Sequence, residues 1–297
     1  MTKRNNEERL GMPSHGAKEA ADAPSTYVEP EQRASLAYVA PTHLVELPSE
    51  GKFYPEGHPL YNVREIELKE MTAKEEDILT SQSLIKKGIV FDRLLTSLLI
   101  DKSIRLDDLL IGDKNALLIA ARISGYGADY TINMSCPMCD TKVDHVIDLA
   151  QCPTKEPIDF TSAPDDEMLA SVCPASGVGT FLVNLPRSKV TVEVRLLTGR
   201  DEKRNAAVEE SRKKQNLPEA ALTEHFRSII VSVDGVDQAA DVRNFIDNMP
   251  ALDPKFLRKV FSKLTPNIEM KQEFVCSECL YEQDLEVPFT AQFFWPD

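Results

Sequence analysis

The chain has 297 residues, 42% of them hydrophobic and 28% charged, with a formal net charge of −14. This describes a globular protein with room for two ordinary domains, each able to bury a core. The longest apolar stretches, Leu94–Ile100 and Ala116–Ile123, are too short to cross a bilayer, so no membrane span is expected. The acidic balance argues against nucleic-acid binding, which needs Lys and Arg to displace counterions from phosphates. The basic spots at Arg200–Arg204 and Arg212–Lys214 are interleaved with acids in helix-like spacing, the pattern of a solvated face.

In chain order, residues 1–42 are rich in Ala, Glu, Pro, Ser and Asn and read as a disordered or extended N-terminal arm. The charged start lacks the apolar core of a secretory signal, which predicts a reducing compartment where thiols stay free. A first α+β unit is expected over residues 43–150. It opens with short alternation from His43 into the turn-rich Leu47-Pro-Ser-Glu-Gly-Lys-Phe-Tyr-Pro55, whose Phe53 and Tyr54 either pin the loop or dock on a partner. Val63–Leu68 alternates as a half-buried strand, and Thr72-Ala-Lys-Glu75 offers a capping box for a helix over 73–87. A helix over 89–101 carries the stripe Leu94, Leu95, Leu98 and Leu99, read as core. A third, Asp113–Ser124, is capped by Asp113 and stops at Gly125-Tyr-Gly127.

Residues 151–179 hold Pro, Ser, Asp and Gly clusters and read as a linker to a second α+β unit over 180–297. That unit is expected to open with a hairpin, Phe181–Leu185 and Val190–Leu197, and to continue with helices over 199–214, 218–232, 239–248 and 253–264. It closes on Phe293, Phe294 and Trp295, which should not be left in water and therefore cap the core or dock on a neighbour.

Each unit carries one Cys-x-x-Cys pair between two strand-like runs. Cys136-Pro-Met-Cys139 lies between Asp129–Ser135 and Lys142–Leu149, and Cys276-Ser-Glu-Cys279 between Ile268–Val275 and Tyr281–Phe289. Four thiolates from two such hairpins close a tetrahedral zinc site of the structural kind, with no position left for water. A redox role for Cys136 and Cys139 would place the motif at a strand-to-helix turn, whereas strands flank it here. His145 is near enough to replace one thiol but reads more readily as a bystander, and Cys152 and Cys173 have no partner at ligand spacing.

The two pairs are separated by 140 positions, and the same offset lays Leu106-Asp107 on Ile246-Asp247, Asp113 on Asp253, Leu117 on Leu257 and Asp144 on Asp284. Upstream, Glu67–Glu76 lies over Glu193–Glu202 at an offset of 126. The reading is an internal duplication whose two hairpins meet to form one zinc ribbon. The second unit is expected to lack a counterpart of the Leu47-Pro-Ser turn and of Tyr126-Gly127. No P-loop, dinucleotide fingerprint, nucleophile elbow or zincin helix is present in the sequence, and no enzyme is expected.

Leu47-Pro-Ser-Glu-Gly-Lys-Phe-Tyr-Pro55, Met71-Thr-Ala-Lys-Glu-Glu-Asp-Ile-Leu79, Ile111-Gly-Asp113, Arg122-Ile-Ser-Gly-Tyr-Gly127 and Cys136-Pro-Met-Cys139 occur in an order that resembles the T-even bacteriophage baseplate proteins. The resemblance is clearest over 44–150. It implies a structural protein of the contractile-tail baseplate, in the hub or its assembly. Its partners would be other baseplate and tail-tube proteins in multiple copies, and its location the virion after assembly in the host cytoplasm. Two other readings stay open: a tail-assembly chaperone absent from the finished particle, and a cellular zinc-ribbon scaffold or nucleic-acid accessory protein.

Overall fold

The computed structural model describes residues 40–161, 166–218, 220–286 and 293–294. Residues 1–39 of the expected N-terminal arm and Trp295 lie outside them, and the arm's last residue, Thr42, already belongs to a strand. Among the described residues the fold is α+β: eight α-helices with small antiparallel sheets.

Strands β1 (Thr42–Glu46) and β2 (Glu65–Lys69) pair antiparallel, from Thr42 opposite Lys69 to Glu46 opposite Glu65. Along β2, Ile66 and Leu68 point into the core and Glu65 and Glu67 into solvent, the alternation a one-sided sheet requires. The helical stretch after Thr72 is broken into α1 (Ala73–Thr80) and α2 (Gln82–Lys86) by an extended Ser81, so the expected single helix over 73–87 is two. Helix α3 (Val90–Leu98) buries Val90, Leu94, Leu95 and Leu98, as the leucine stripe predicts. Helix α4 (Ile111–Tyr126) then leads into the hairpin β3 (Asp129–Ser135) and β4 (Lys142–Asp148).

The stretch read as a linker is built into the body. Strand β5 (Thr154–Lys155) pairs with β10 (Asn267–Ile268), and β6 (Val172–Pro174) forms one edge of a sheet in the order β6-β7-β8-β9. Within that sheet β7 (Thr180–Asn184) and β8 (Thr191–Arg195) form the expected hairpin. Helices α5 (Gly199–Lys214) and α6 (Ala221–Ile229) follow, and then β9 (Ile230–Val233). The helix expected over 218–232 therefore ends at Ile229, because the β-branched run Ile230-Val-Ser-Val233 takes the free edge of β8 instead. Helices α7 (Ala239–Asn248) and α8 (Leu252–Leu264) lead through β10 to the second hairpin, β11 (Lys271–Val275) and β12 (Glu282–Glu286).

One hydrophobic core runs through both halves, from Val45 and Leu68 through Leu117 and Val194 to Leu257 and Leu264. The halves are also stitched by charge. Lys114 reaches Asp92 at 2.9 Å and Glu202 at 2.6 Å, and Arg200 reaches Asp108 at 2.6 Å. The Ile111 N–H donates to the Leu197 carbonyl at 3.1 Å, and the Gly199 N–H to the Leu109 carbonyl at 2.9 Å. Gly112 sits hard against β10, where an added Cβ would lie 1.9 Å from the Pro266 carbonyl oxygen.

The same small devices recur in the two halves. Thr72 caps α1 with Glu75 closing the capping box, and Lys69 at the end of β2 pairs with Glu75 at 3.0 Å. Thr198 caps α5 with Asp201 closing the box, and Arg195 at the end of β8 grips Asp201 through two bonds of 2.8 and 2.6 Å. At the head of α4, the Asp113 carboxylate accepts from the Ser49 N–H (2.9 Å), the Ser49 hydroxyl (2.6 Å) and the Tyr54 hydroxyl (2.6 Å). At the head of α8, Asp253 accepts from the Arg187 N–H (2.7 Å) and the Ser188 N–H (2.9 Å). Leu185-Pro-Arg-Ser188 thus does for the second half what Leu47-Pro-Ser49 does for the first, and the expectation that this turn has no counterpart is corrected.

Candidate metal centre

The two cysteine hairpins converge on one point. In each, the first cysteine follows a strand and turns the chain by the same bonds. The Cys136 N–H donates to the Thr141 carbonyl at 2.9 Å and the Asp140 N–H to the Cys136 carbonyl at 2.8 Å. The Cys276 N–H donates to Tyr281 at 2.9 Å and the Leu280 N–H to Cys276 at 3.0 Å. Both turns close through a left-handed residue, Asp140 and Leu280, each at φ 57°. A residue there other than glycine or asparagine is uncommon, and the tight knuckle imposes it.

Cys136 and Cys276 are buried, and Cys139 and Cys279 are exposed at the outer side. The sulfurs cross-pair between hairpins: Cys136 Sγ is 3.6 Å from Cys279 Sγ and Cys139 Sγ is 3.7 Å from Cys276 Sγ. All four lie within 4.8 Å of one another. A tetrahedral zinc with bonds of about 2.3 Å needs sulfur–sulfur edges of about 3.8 Å, so the donor set and its spacing fit zinc. The same separations are far too long for a disulfide, and all four cysteines are free.

Crowding four thiols also divides their ionisation. The Thr141 hydroxyl and backbone draw the Cys139 thiol down to about 6. At Cys279 the Tyr281 backbone pulls downward, but desolvation and the neighbouring thiols outweigh it and push the group up to about 12. A divalent cation removes this conflict, because it is the counter-charge that lets all four be thiolates. Phe274, fully buried, forms a small second core with Cys136 and Cys276, flanked by Met134, Val143 and Tyr281. The His145 ring meets Phe274 edge-on at 5.5 Å and stands outside the thiol cluster, a packing partner of the site. Cys152 and Cys173 stand outside the cluster as well.

The aromatic residues expected as docking candidates are placed differently. Tyr54, Phe293 and Phe294 are buried in the protein's own core, and Phe53 is half-buried with its ring edge-on to Phe181 at 5.8 Å. Tyr54, Phe293 and Phe294 therefore serve the fold, whereas Phe53 keeps part of its ring in an open groove beside Ile158, Phe160 and Val178. Phe293 packs on Tyr130 at 5.2 Å and Phe294 on Phe91 at 5.6 Å. Sequence reasoning gave no role to Arg122, which is buried beside them and donates to the carbonyls of Phe293 (2.9 Å), Gly127 (2.6 Å) and Asp129 (3.1 Å). The available signal was a lone arginine inside the apolar stretch of α4.

Residues 40–176 match the family model of the T4 bacteriophage base plate protein. That segment is similar to the phage baseplate family, and it spans a little under half of the chain. No curated protein and no solved structure matches the chain. The baseplate segment contains the Asp113-anchored turn, Arg122, Cys136 and Cys139, and it ends before Cys276 and Cys279. Half of the thiol set therefore lies inside the matched region, and the other half is brought to it by folding.

Proposed function

We propose that the protein is a structural component of a contractile phage tail baseplate, in the hub or wedge region, assembling with other baseplate proteins around the tail tube. The observation that carries this reading is the baseplate family match over residues 40–176. The protein acts by holding neighbours and performs no catalysis. It is assembled in the host cytoplasm and kept in the virion in several copies.

In this reading the chain arose by internal duplication, and the two hairpins form one zinc ribbon through Cys136, Cys139, Cys276 and Cys279. Three recurrences support the duplication: the Thr72–Glu75 and Thr198–Asp201 capping boxes, Asp113 and Asp253 holding equivalent Leu-Pro turns, and the two cysteine knuckles. Zinc bound across the halves stabilises the folded chain directly, by on the order of 10 kcal/mol apparent in small zinc peptides. That is a useful property in a part that must transmit force between neighbours without coming apart.

The test is quantitative mass spectrometry of gradient-banded particles of the phage encoding this chain. A fixed small ratio to other baseplate proteins is the expected result. Absence from particles despite abundance in infected cells would make the protein an assembly chaperone instead.

A further inference from the structure

Helix α8 carries four cations on its outer side, Lys255, Arg258, Lys259 and Lys263, all exposed. With Ser262 and Met168 they line an open groove of about 630 Å³, and no carboxylate lines it. Among the described residues, Lys263 has an ion-pair partner in Asp166, and no ion pair is formed by Lys255, Arg258 or Lys259. In a chain with 48 acidic against 34 basic residues, such a groove is a local reversal of the protein's own charge.

The opposite half indicates what this face is placed to do. Helix α8 stands to the Leu185-Pro turn, through Asp253, as α4 stands to the Leu47-Pro turn through Asp113. At that offset of 140, the positions of Leu118, Ile119 and Arg122 on α4 are taken by Arg258, Lys259 and Ser262 on α8. On α4 those three side chains are buried, and Arg122 donates to the carbonyl of Phe293 near the end of the chain. On α8 the equivalent face is open, and its apolar residues have been exchanged for cations.

We propose that this face of α8 is a docking surface for an acidic segment of a partner protein. The cations span about 12 Å of helix, the reach of three or four residues of an extended strand or two turns of a helix. Glutamate or aspartate side chains along that face meet Lys255, Arg258 and Lys259 without burying charge, with Lys263 already held by Asp166, so the contact is fast-forming and sensitive to salt. A long polyanion such as DNA fits less well, because beyond this short face it meets a protein of net charge −14.

The experiment is fluorescence anisotropy of a labelled oligoglutamate peptide with the full-length protein, at about 50 mM and about 200 mM salt. The comparison is a Lys255→Gln/Arg258→Gln/Lys259→Gln variant whose circular dichroism matches the wild type. A Lys86→Gln/Lys87→Gln variant removes two exposed cations elsewhere and controls for general charge. Saturable binding by the wild type and the control, weakened about tenfold or more in the triple variant and by the higher salt, supports the proposal. Equal binding by wild type and triple variant, or no binding at low salt, overturns it. A labelled single-stranded oligonucleotide bound more tightly than the peptide overturns it in favour of nucleic acid. Self-association of the wild type that the triple variant abolishes, measured by sedimentation, overturns it in favour of a second copy.

Discussion

The Nε of Arg122 donates to the main-chain carbonyl of Phe293 at 2.9 Å, tying the C-terminal part of α4 to a residue 171 positions away. Its other two donors go to the carbonyls of Gly127 and Asp129, so one side chain also closes the turn between α4 and β3. Removing it takes one donor away from each of three carbonyls. Arg122→Met is expected to lower unfolding stability by about 3 kcal/mol, and Phe293→Ala by about 3–5 kcal/mol through the cavity it opens beside Tyr130. Because the two residues are in contact, their double variant should be less destabilised than the sum, as a denaturant-melt double-mutant cycle would reveal.

Asp253 accepts two N–H groups of the Leu185-Pro turn, at Arg187 and Ser188. Asp253→Ala should cost about 2–3 kcal/mol and loosen the β7–β8 turn. Hydrogen exchange at Arg187 and Ser188 provides the reading, with faster exchange expected there before any change in the four-stranded sheet.

Glu75 is fully buried and pays for desolvation, but the hydroxyls of Ser97 and Thr72 and the ammonium of Lys69 hold its carboxyl down to about 2. Its folded value thus lies below its ordinary 4.5. A depressed carboxylate contributes stability that is present above its unfolded value and is lost as pH falls through the folded one. The contribution is on the order of 3 kcal/mol and should fade between about pH 4.5 and pH 2. A Glu75→Gln variant should be less stable at neutral pH, with a flatter acid limb in urea melts taken across that range.

Gly112 has no room for a methyl group, because its Cβ would meet the Pro266 carbonyl oxygen rather than a movable side chain. Gly112→Ala should therefore destabilise at the upper end of overpacking effects, by about 3 kcal/mol, and should part α4 from β10. A thermal melt with an unchanged midpoint would remove this contact from the account.

Much of the fold can be read in the residues, and what escapes has physical reasons. The cysteine hairpins, the Thr72–Glu75 capping box and the stripe of α3 are legible because spacing alone specifies them. The strand Ile230–Val233 is not, since a short, largely apolar run continuing straight from a helix suits a buried helix end or a strand equally, and only the free edge of β8 decides. The shared core is also hidden from the sequence: periodicity marks Leu117 and Leu257 as buried but does not say that they join one core. The thiol set is legible as four residues, whereas the cross-pairing of Cys136 with Cys279 and Cys139 with Cys276 depends on how two distant hairpins meet. Asp253 looks in sequence like an ordinary acidic helix start, and its grip on Arg187 and Ser188 emerges only once the chain has folded back.

The most direct test of the account is the metal content of full-length protein purified without chelator, together with its unfolding, for wild type, Cys136→Ser and Cys276→Ser. One zinc per chain in the wild type, lost from both variants together with a large part of the stability, is the predicted result. Wild-type stability in either variant, or a metal-free wild type that unfolds no earlier after chelation, would contradict a zinc centre shared between the two hairpins.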